Sequence, residues 1–428
     1  MNFQESEKYL YSLGNEVEAM KLGLENIRTL LAELGDPQTQ YLKVQVAGTN
    51  GKGSVCAFLD SICREAGIRT GLFTSPHLVS ITERIKIDGV DISEDDFARL
   101  ATRVRETAER LVAEGKLEYM PTYFEQVTTI GLLAFAEERV ELAILETGLG
   151  GRLDAATAAN AEIAAITRID LDHQEYLGNT IEEIAAEKAA IIVNGQRVAI
   201  GRQSPEGLKV LLERCASVGV VPKTACEPNV LTFDAKGSAV VEFRTSTREH
   251  WDACLGLAGR HQVENACTAI MVSDILRDIG VAISDESVWE GLEDARHPGR
   301  LEYTGNFLLD GAHNVAGAKA LAAYLDEFVK KPFTMIFGAM REKNVREIAK
   351  ILWPRAEQLI LTQPSNSRAM TADELVEFAP ENFDPAKIVK TNSVEDALAA
   401  AGSRELILVT GSLYLVGEVR KIALSRQP

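Results

Sequence analysis

Two apolar rhythms alternate along most of this chain. Short, β-rich apolar runs occur at Val44–Val46, Leu142–Leu145, Ile163–Thr167 and Arg197–Ile200. Between them, near 54–66, 94–114, 123–138 and 181–191, apolar residues recur at three- and four-residue spacing, as in Val55, Phe58, Leu59, Ile62, Cys63 and Ala66. Continuous apolar runs mark strands buried on both faces, and the 3.6-residue period marks amphipathic helices. Their alternation predicts a parallel sheet covered by helices on both sides. An earlier helix is predicted over 15–35, with Met20, Leu24, Ile27, Leu30, Leu31 and Leu34 on one face and a stop at Gly35-Asp36-Pro37.

The texture changes at 228–258. Residue-by-residue alternation around Val230–Phe233 and Ala239–Phe243 predicts hairpin-like strands, and helices then fill 262–295. His297-Pro298-Gly299-Arg300 interrupts the pattern. A second α/β series follows, with strands predicted at Asn306–Asp310, Thr334–Phe337, Gln358–Leu361, Lys387–Lys390 and Glu405–Thr410. These signals divide the chain into 1–296 and 297–428, with ligands expected in the cleft between the two parts. No internal repeat or low-complexity segment interrupts either part.

Composition narrows the functional classes. With 428 residues, 46% hydrophobic and 25% charged, the chain has ample material for the cores of two or three domains. Its net charge of −18 opposes nonspecific nucleic-acid binding. The six cysteines form no CxxC pair and no zinc-like spacing, so reduced, mostly buried thiols are expected. Met1–Leu10 is polar and acidic, and no apolar run approaches membrane-spanning length. A cytoplasmic protein without nucleic-acid or membrane partners is the expectation.

The densest chemistry lies at Gly48-Thr49-Asn50-Gly51-Lys52-Gly53-Ser54, between the first strand and the helix after it. Glycines let the backbone turn its N–H groups onto an anion, and the helix N-terminus adds partial positive charge. Lys52 can reach the β- and γ-phosphates, and Ser54 can hold Mg²⁺. The spacing departs from the usual phosphate loop, because two residues separate Gly48 from Gly51 and Gly53 follows the lysine. A mere glycine-rich turn would not need the lysine, the hydroxyl and a buried helix together. The predicted fold class is therefore α/β: a P-loop-containing, parallel-sheet ATPase domain followed by a smaller, Rossmann-like α/β C-terminal domain.

Other strand ends carry candidate groups. Leu142–Leu145 runs into Glu146 and a glycine-rich turn through Asp154; an acid at such a strand tip suits Mg²⁺ bound to phosphate. A dinucleotide fingerprint is the competing reading there, disfavoured because the third glycine is misplaced and no apolar helix opens. The exit from Ile163–Thr167 carries Asp170-Leu171-Asp172-His173, pointing to a metal or phosphate role for His173. Ser75 follows another strand beside the phosphate loop, where it is either a turn residue or a ligand. In the second part, Asp310 and His313 again place an acid and a histidine at a strand tip. Lys188 lies on a helix, where a lysine is ordinarily a solvated charge.

Eleven stretches in order resemble the folylpolyglutamate synthase/dihydrofolate synthase family within the Mur ligase superfamily. They are Gly48–Ser54, Thr74–Leu78, Thr82–Ile85, Thr122–Glu125, Glu146–Ala155, Leu171–His173, Glu187–Ala189, Gly259–Asn265, Pro298–Arg300, Asp310–Asn314 and Thr410–Ser412. The resemblance implies an ATP-dependent amide ligase. A folate-type carboxylate attacks the γ-phosphate of ATP to form an acyl phosphate, and the amine of L-glutamate then displaces phosphate. It implies that Gly51, Lys52, Gly53 and Ser54 grip phosphate while Asn265, Arg300 and Asp310 contact ATP. Ser54, Ser75, Glu146, His173 and a carbamylated Lys188 are the implied metal ligands, at two Mg²⁺ sites. Thr122, Tyr123, Phe124, Glu125, Leu153, Asp154 and Ala155 are the implied pterin-side contacts. Lys52, His173, Lys188, Asp310 and His313 form the implied catalytic group.

The implied partners are dihydropteroate or a reduced folate and L-glutamate, acting on a monomer. One turn departs from the pattern: where the family usually shows an Asp-Lys-Asp-like turn, this chain has Arg341-Glu342-Lys343-Asn344, and no role is assigned to it. Two alternatives stand beside the ligase. A Mur-type enzyme acting on a peptidoglycan nucleotide precursor commonly carries an extra N-terminal domain, whereas about 43 residues precede the first strand here. A nucleotide-gated binding protein would explain the loop, but not Asp310 and His313.

Overall fold

A computed structural model of the chain describes every residue except 15–22, 247–248, 382 and 426–428. Its first sheet contains β1 (Leu42–Ala47), β2 (Thr70–Phe73), β3 (Ile85–Ile87), β4 (Val90–Asp91), β5 (Leu142–Glu146), β6 (Ile163–Ile166) and β7 (Arg197–Ile200). The order is β4-β3-β2-β5-β1-β6-β7. The five strands from β2 to β7 run parallel, and β3 and β4 add an antiparallel edge.

Side chains on these strands alternate between separate cores, as the two-residue period requires. Val44 and Val46 pack with Val55, Phe58 and Ile62 of the helix Lys52–Glu65. Ala143 and Leu145 of the adjacent strand face the other way, toward Phe97, Val127 and Phe135. The polar residues interleaved in β1 are buried but satisfied. Lys43 donates to Glu162 at 3.0 Å, and Gln45 donates to Thr157 at 2.8 Å.

The predicted helices at 94–114, 123–138 and 181–191 are Glu94–Ala113, Tyr123–Glu137 and Ile181–Ala189. Of the helix expected over 15–35, residues 15–22 lie outside the described residues, and Glu25–Glu33 is helical. A helix at Phe3–Ser12 was not predicted, because Phe3, Ser6 and Leu10 are its only buried positions and leave a weak apolar stripe.

The alternating segment forms an antiparallel sheet of β8 (Cys226–Phe233), β9 (Ala239–Thr245) and β10 (Glu249–Cys254). Ala239, Val241 and Phe243 turn inward onto the core of the first sheet. The third sheet contains β11 (Glu302–Thr304), β12 (Phe307–Leu309), β13 (Thr334–Phe337), β14 (Gln358–Leu361), β15 (Ile388–Lys390) and β16 (Ile407–Thr410). Its order is β11-β12-β16-β13-β14-β15, parallel except for the edge strand β11.

The β8–β9 turn reaches the helices of the third sheet. Tyr324, on the helix Val315–Phe328, is almost fully buried, and its hydroxyl donates to the Lys236 carbonyl at 2.7 Å. Phe233 packs on Phe328 at 5.4 Å between ring centroids. Arg260 lies 4.5 Å above the Phe233 ring and makes two 2.7 Å hydrogen bonds to Glu327. Gly237 allows this approach: its φ is +79°, and a Cβ there would lie 2.7 Å from Tyr324 and 2.9 Å from Phe328. Gly237→Ala is expected to lower stability by about 1–3 kcal/mol through backbone strain and overpacking. A urea-unfolding midpoint equal to wild type would contradict that contact.

Candidate active site

Parallel strands deliver their following loops to one edge of a sheet, and here the exits of β1, β2, β5 and β6 converge. The β1 exit is the glycine loop. Gly51 has φ +88°, and a Cβ on it would lie 2.2 Å from Asn265 Oδ1. Gly53 is closed in from another side: its Cβ would lie 2.5 Å from His297 Nε2 and 3.5 Å from Glu146 Oε1. The loop's glycines therefore reflect neighbours brought from far along the chain. Lys52 curls back, its ammonium donating to the carbonyls of Gly48 (3.1 Å) and Thr49 (3.2 Å). The Thr49 hydroxyl donates to the Asp170 carbonyl at 3.0 Å, fastening the loop to the β6 exit.

Glu146 ends β5 in a buried position and accepts from the Ser75 N–H at 3.1 Å. Burial raises its pKa, and Lys52, the Ser75 N–H, Arg300 and Arg84 pull the other way. Among the described residues this carboxylate has no ionic partner in hydrogen-bond contact, an arrangement that suits a cation ligand. Ser54 is buried beside it at the start of the helix. Among the described residues no three His, Cys, Asp or Glu side chains gather into a metal cluster. Mg²⁺ nevertheless fits such a site, because it keeps most of its waters and binds through one or two carboxylates plus substrate phosphate.

The β6 exit carries Asp172, the most connected group in the cleft. It accepts from Lys343 Nζ at 2.8 Å and from Asn314 Nδ2 at 2.9 Å. His173 and His313 present Nε2 at 3.9 and 3.8 Å. Burial works against its charge, but Lys343, His173 and His313 together hold its pKa well below the ordinary carboxylate range. Asn314 also donates to Asn50 Oδ1 at 3.0 Å, so one side chain joins the third sheet to the phosphate loop. Burial lowers the pKa of His173 to about 4 and that of His313 to about 3, so both are neutral near pH 7. The Nδ1 of His313 lies 2.8 Å from the Gly311 carbonyl, which places its proton there and leaves Nε2 as an acceptor.

Lys188 is buried on the helix Ile181–Ala189, and among the described residues its ammonium makes no hydrogen bond or ion pair. Burial, then repulsion from Lys52, lowers its pKa to about 7, so a large fraction of the amine is neutral. Arg300 enters from the start of the second part, with its Nη1 2.8 Å from where a Cβ on Gly311 would stand. Asp310 accepts from the backbone N–H groups of Leu301 (3.1 Å) and Ala312 (3.0 Å), and burial raises its pKa against Arg300.

The cleft enclosed by these groups measures roughly 760 Å³. Gly51, Lys52, Gly53, Ser54, Ser75, Glu146, His173, Lys188, Asn265, Arg300, Asp310 and His313 all line it. The expected pterin-side residues divide. Tyr123 lines the cleft, whereas Thr122, Phe124, Glu125, Leu153, Asp154 and Ala155 are not among its lining residues. Thr122 and Glu125 form the capping box of the helix Tyr123–Glu137. Asp154 accepts from the N–H groups of Gly148, Leu149 and Ala156, and so shapes the glycine turn itself. The Asp172–Lys343–Asn314 contacts were not foreseen from sequence, although Asp172 and Asn314 lie in matching stretches and Lys343 in the atypical turn.

The chain matches two family descriptions: "Mur ligase middle domain" over residues 46–273 and "Mur ligase, glutamate ligase domain" over 299–413. The dihydrofolate synthase/folylpolyglutamate synthase of Bacillus subtilis is 35% identical over 417 residues, covering 94% of this chain and 95% of that one. Among solved structures, Mycobacterium tuberculosis folylpolyglutamate synthase complexed with ADP superposes with a TM-score of 0.91 at 30% identity, covering 100% and 99% of the two chains. Escherichia coli FolC in complex with DHPP and ADP gives 0.87 at 26% identity, with the same coverage.

Two histidines beside the glycine loop make stability depend on pH. Burial, then Arg300, lowers His261 to about 4 and His297 to about 3, against an ordinary 6.5. The folded state excludes protons that the unfolded chain accepts. Their contribution is therefore full above pH 6.5 and is lost as pH falls toward the folded values. Acidification from pH 7 to 5 is expected to cost up to about 2 kcal/mol per histidine. Urea unfolding of wild type, His261→Gln and His297→Gln checks this; equal losses in all three would contradict it.

Proposed function

The chain belongs to the folylpolyglutamate synthase/dihydrofolate synthase family of the Mur ligase superfamily, and from that premise we propose how its cleft performs the reaction. The protein is an ATP-dependent ligase that adds L-glutamate to dihydropteroate and/or reduced folates through an acyl phosphate. The observation that carries the reading is that the phosphate loop faces the second part across the Asp172–Lys343–Asn314 bridge. Phosphoryl donor and amine acceptor can thus meet in one enclosed space.

The substrate carboxylate must approach a triphosphate, so the protein has to neutralise like charges as the phosphoryl group moves. In this reading Gly51, Gly53 and Ser54 bind the phosphates through loop and helix N–H groups. Lys52 leaves its own loop carbonyls to reach the β- and γ-oxygens, and Arg300 approaches from the opposite side. Asn265, fixed by Gln262 at 2.8 Å, and Asp310 orient the nucleotide. Oxygen–phosphorus bond formation to the folate carboxylate breaks the β–γ bridge and releases ADP. The glutamate amine then attacks the acyl carbon, the bond from that carbon to the phosphate-bearing oxygen breaks, and inorganic phosphate leaves with the former carboxylate oxygen and the proton given up by the amine. Asp172 and His313 hold the second part against the reacting centre during both steps.

Ser54, Ser75, Glu146 and His173 would hold one Mg²⁺, and a carbamate on Lys188 would hold a second. When bound, these ions supply charge neutralisation along the phosphate chain. The carbamate reading draws on the burial of Lys188 and on the absence, among the described residues, of a partner for its amine: the ammonium gives up one proton, CO₂ adds to the neutral amine with loss of a second, and a cation becomes an anion. The division at 296/297 is proposed as the domain boundary. A cytoplasmic monomer working on these small molecules, without nucleic acid or membrane, completes the reading. No described helix is long and apolar enough to cross a membrane.

Product analysis tests the function. ADP should form in step with glutamylated product from dihydropteroate or tetrahydrofolate plus L-glutamate, and not from a uridine-nucleotide precursor plus amino acid. Turnover in neither mixture would favour the nucleotide-gated binding protein. Lys188→Ala is expected to lose about 100-fold or more in activity. It should also lose a carbamate carbon resonance seen with ¹³C-bicarbonate. Full activity of Lys188→Ala without added bicarbonate would overturn the carbamate.

A further inference from the structure

Within the turn Arg341-Glu342-Lys343-Asn344, Lys343 reaches across the cleft to Asp172, whereas Glu342 turns to Arg368 of the second part. The turn is built into the cleft wall by the segment that follows β14. The Arg341 N–H donates to the Arg368 carbonyl at 3.0 Å and the Met370 N–H to the Ala339 carbonyl at 2.9 Å, a short antiparallel bridge around Met340 and Ala369. Asn366 pins that segment from within, its Oδ1 accepting from the Arg368 N–H at 3.0 Å. The helix Leu413–Ser425 secures it from behind, where Glu418 accepts from the Ser365 N–H at 2.6 Å. Glu342 and Arg368 are thereby held on the lining of the cleft.

Arg368 donates through Nη1 to Glu342 Oε1 at 3.0 Å and through Nη2 to the Tyr414 hydroxyl at 3.1 Å. Among the described residues its Nε–H has no partner. The guanidinium fork is thus split between two single contacts and holds no carboxylate in the two-pronged manner that its shape favours. Its ion pair with Glu342 is partly open to water, the side chains being 36% and 28% exposed, and such a pair is weak. Among the described residues, three cations line the cleft from the second part: Arg300, Lys343 and Arg368. Arg300 acts on Glu146 at the phosphate side, and Lys343 is taken up by Asp172. Arg368 is left for an anion other than phosphate.

We propose that Arg368 is a specificity-determining residue for the amino-acid substrate: its guanidinium grips the side-chain carboxylate of L-glutamate, in a seat that Glu342 occupies until the substrate displaces it. The proposal rests on the reading of function above. Attack places the glutamate amine at the acyl phosphate, and the α-carboxylate shares its carbon, so both stay near the phosphate side. The side-chain carboxylate lies two methylenes further along and needs a cation set back from Lys52 and Arg300. The turn supplies that offset, since Lys343 touches Asp172 at the β6 exit while its neighbour Glu342 touches Arg368. One carboxylate replaces another on the same guanidinium, so the exchange leaves no charge unpaired.

Steady-state kinetics of Arg368→Gln, Arg368→Lys and Glu342→Gln test it. Arg368→Gln should raise the KM for L-glutamate about tenfold or more, with KM for ATP and for dihydropteroate changed by less than about twofold. Its preference for L-glutamate over L-glutamine, read as the ratio of kcat/KM values, should fall about tenfold. Arg368→Lys, which keeps the charge and loses the fork, should recover part of both losses. Glu342→Gln removes the competing carboxylate and should lower the KM for L-glutamate about two- to fivefold. An Arg368→Gln protein whose glutamate KM lies within about twofold of wild type would overturn the role. So would a rise shared equally by all three substrates, or a Glu342→Gln protein that loses glutamate as Arg368→Gln does, since either marks a pair that only staples the wall. Wild-type turnover separates the claims: without it the reading of function falls and takes this one along, whereas with it only Arg368 is at stake.

Discussion

Lys52, Lys188, Arg300 and Lys343 share one cleft, and their mutual repulsion is the constraint on which the rest of the site depends. Lys188 is buried and the other three are partly buried, and repulsion between cations grows as water is excluded. The protein answers it unevenly. Lys343 receives a full ionic partner in Asp172, and Lys52 bends onto loop carbonyls. Arg300 lies against glycine, and Lys188 loses part of its charge. The histidines His173 and His313 add no positive charge near neutrality. What remains is a cleft in which, among the described residues, neither Lys52 nor Arg300 is taken up by an ion pair, with room for a polyanion.

Asp172 also turns that electrostatic problem into architecture. Because it binds Lys343 and Asn314, the charge balance of the phosphate side requires the third sheet to be docked. The helix Val315–Phe328 begins immediately after Asn314 and ends beside Tyr324 and Glu327, which contact the β8–β9 turn and Arg260. One helix is thus fixed to the first part at both ends. Arg260 in turn precedes His261 and Asn265 on the helix that closes over Gly51. Breaking either contact would move nucleotide-side groups along with the second part.

The strands and the glycine loop were legible because their signals are local: apolar runs, period-3.6 faces and a turn before a helix. β7, β13 and β14 begin and end where the pattern put them. The Asp172–Lys343 pair was not legible, since its partners are 171 residues apart and each resembles a solvated charge. Thr122, Glu125 and Asp154 show a different ambiguity. Threonine and acids cap helices and turns by the same hydrogen bonding that binds ligands, so a motif rich in them does not say which use it serves. The helix Phe3–Ser12 escaped because its buried face is narrow and includes a serine.

The loop's irregular spacing has a cause that its own residues do not contain. A Cβ at Gly53 is excluded by His297, and one at Gly51 by Asn265, so both glycines answer to segments well over two hundred residues downstream. An isolated strand–loop–helix unit would therefore be under no pressure to keep that spacing. In the folded protein those segments press on the loop, and Arg300, three residues after His297, supplies the charge that faces it. The phosphate site is thus not a module with a second part attached. It is a joint surface, and the glycines mark where the later chain closes against the earlier one.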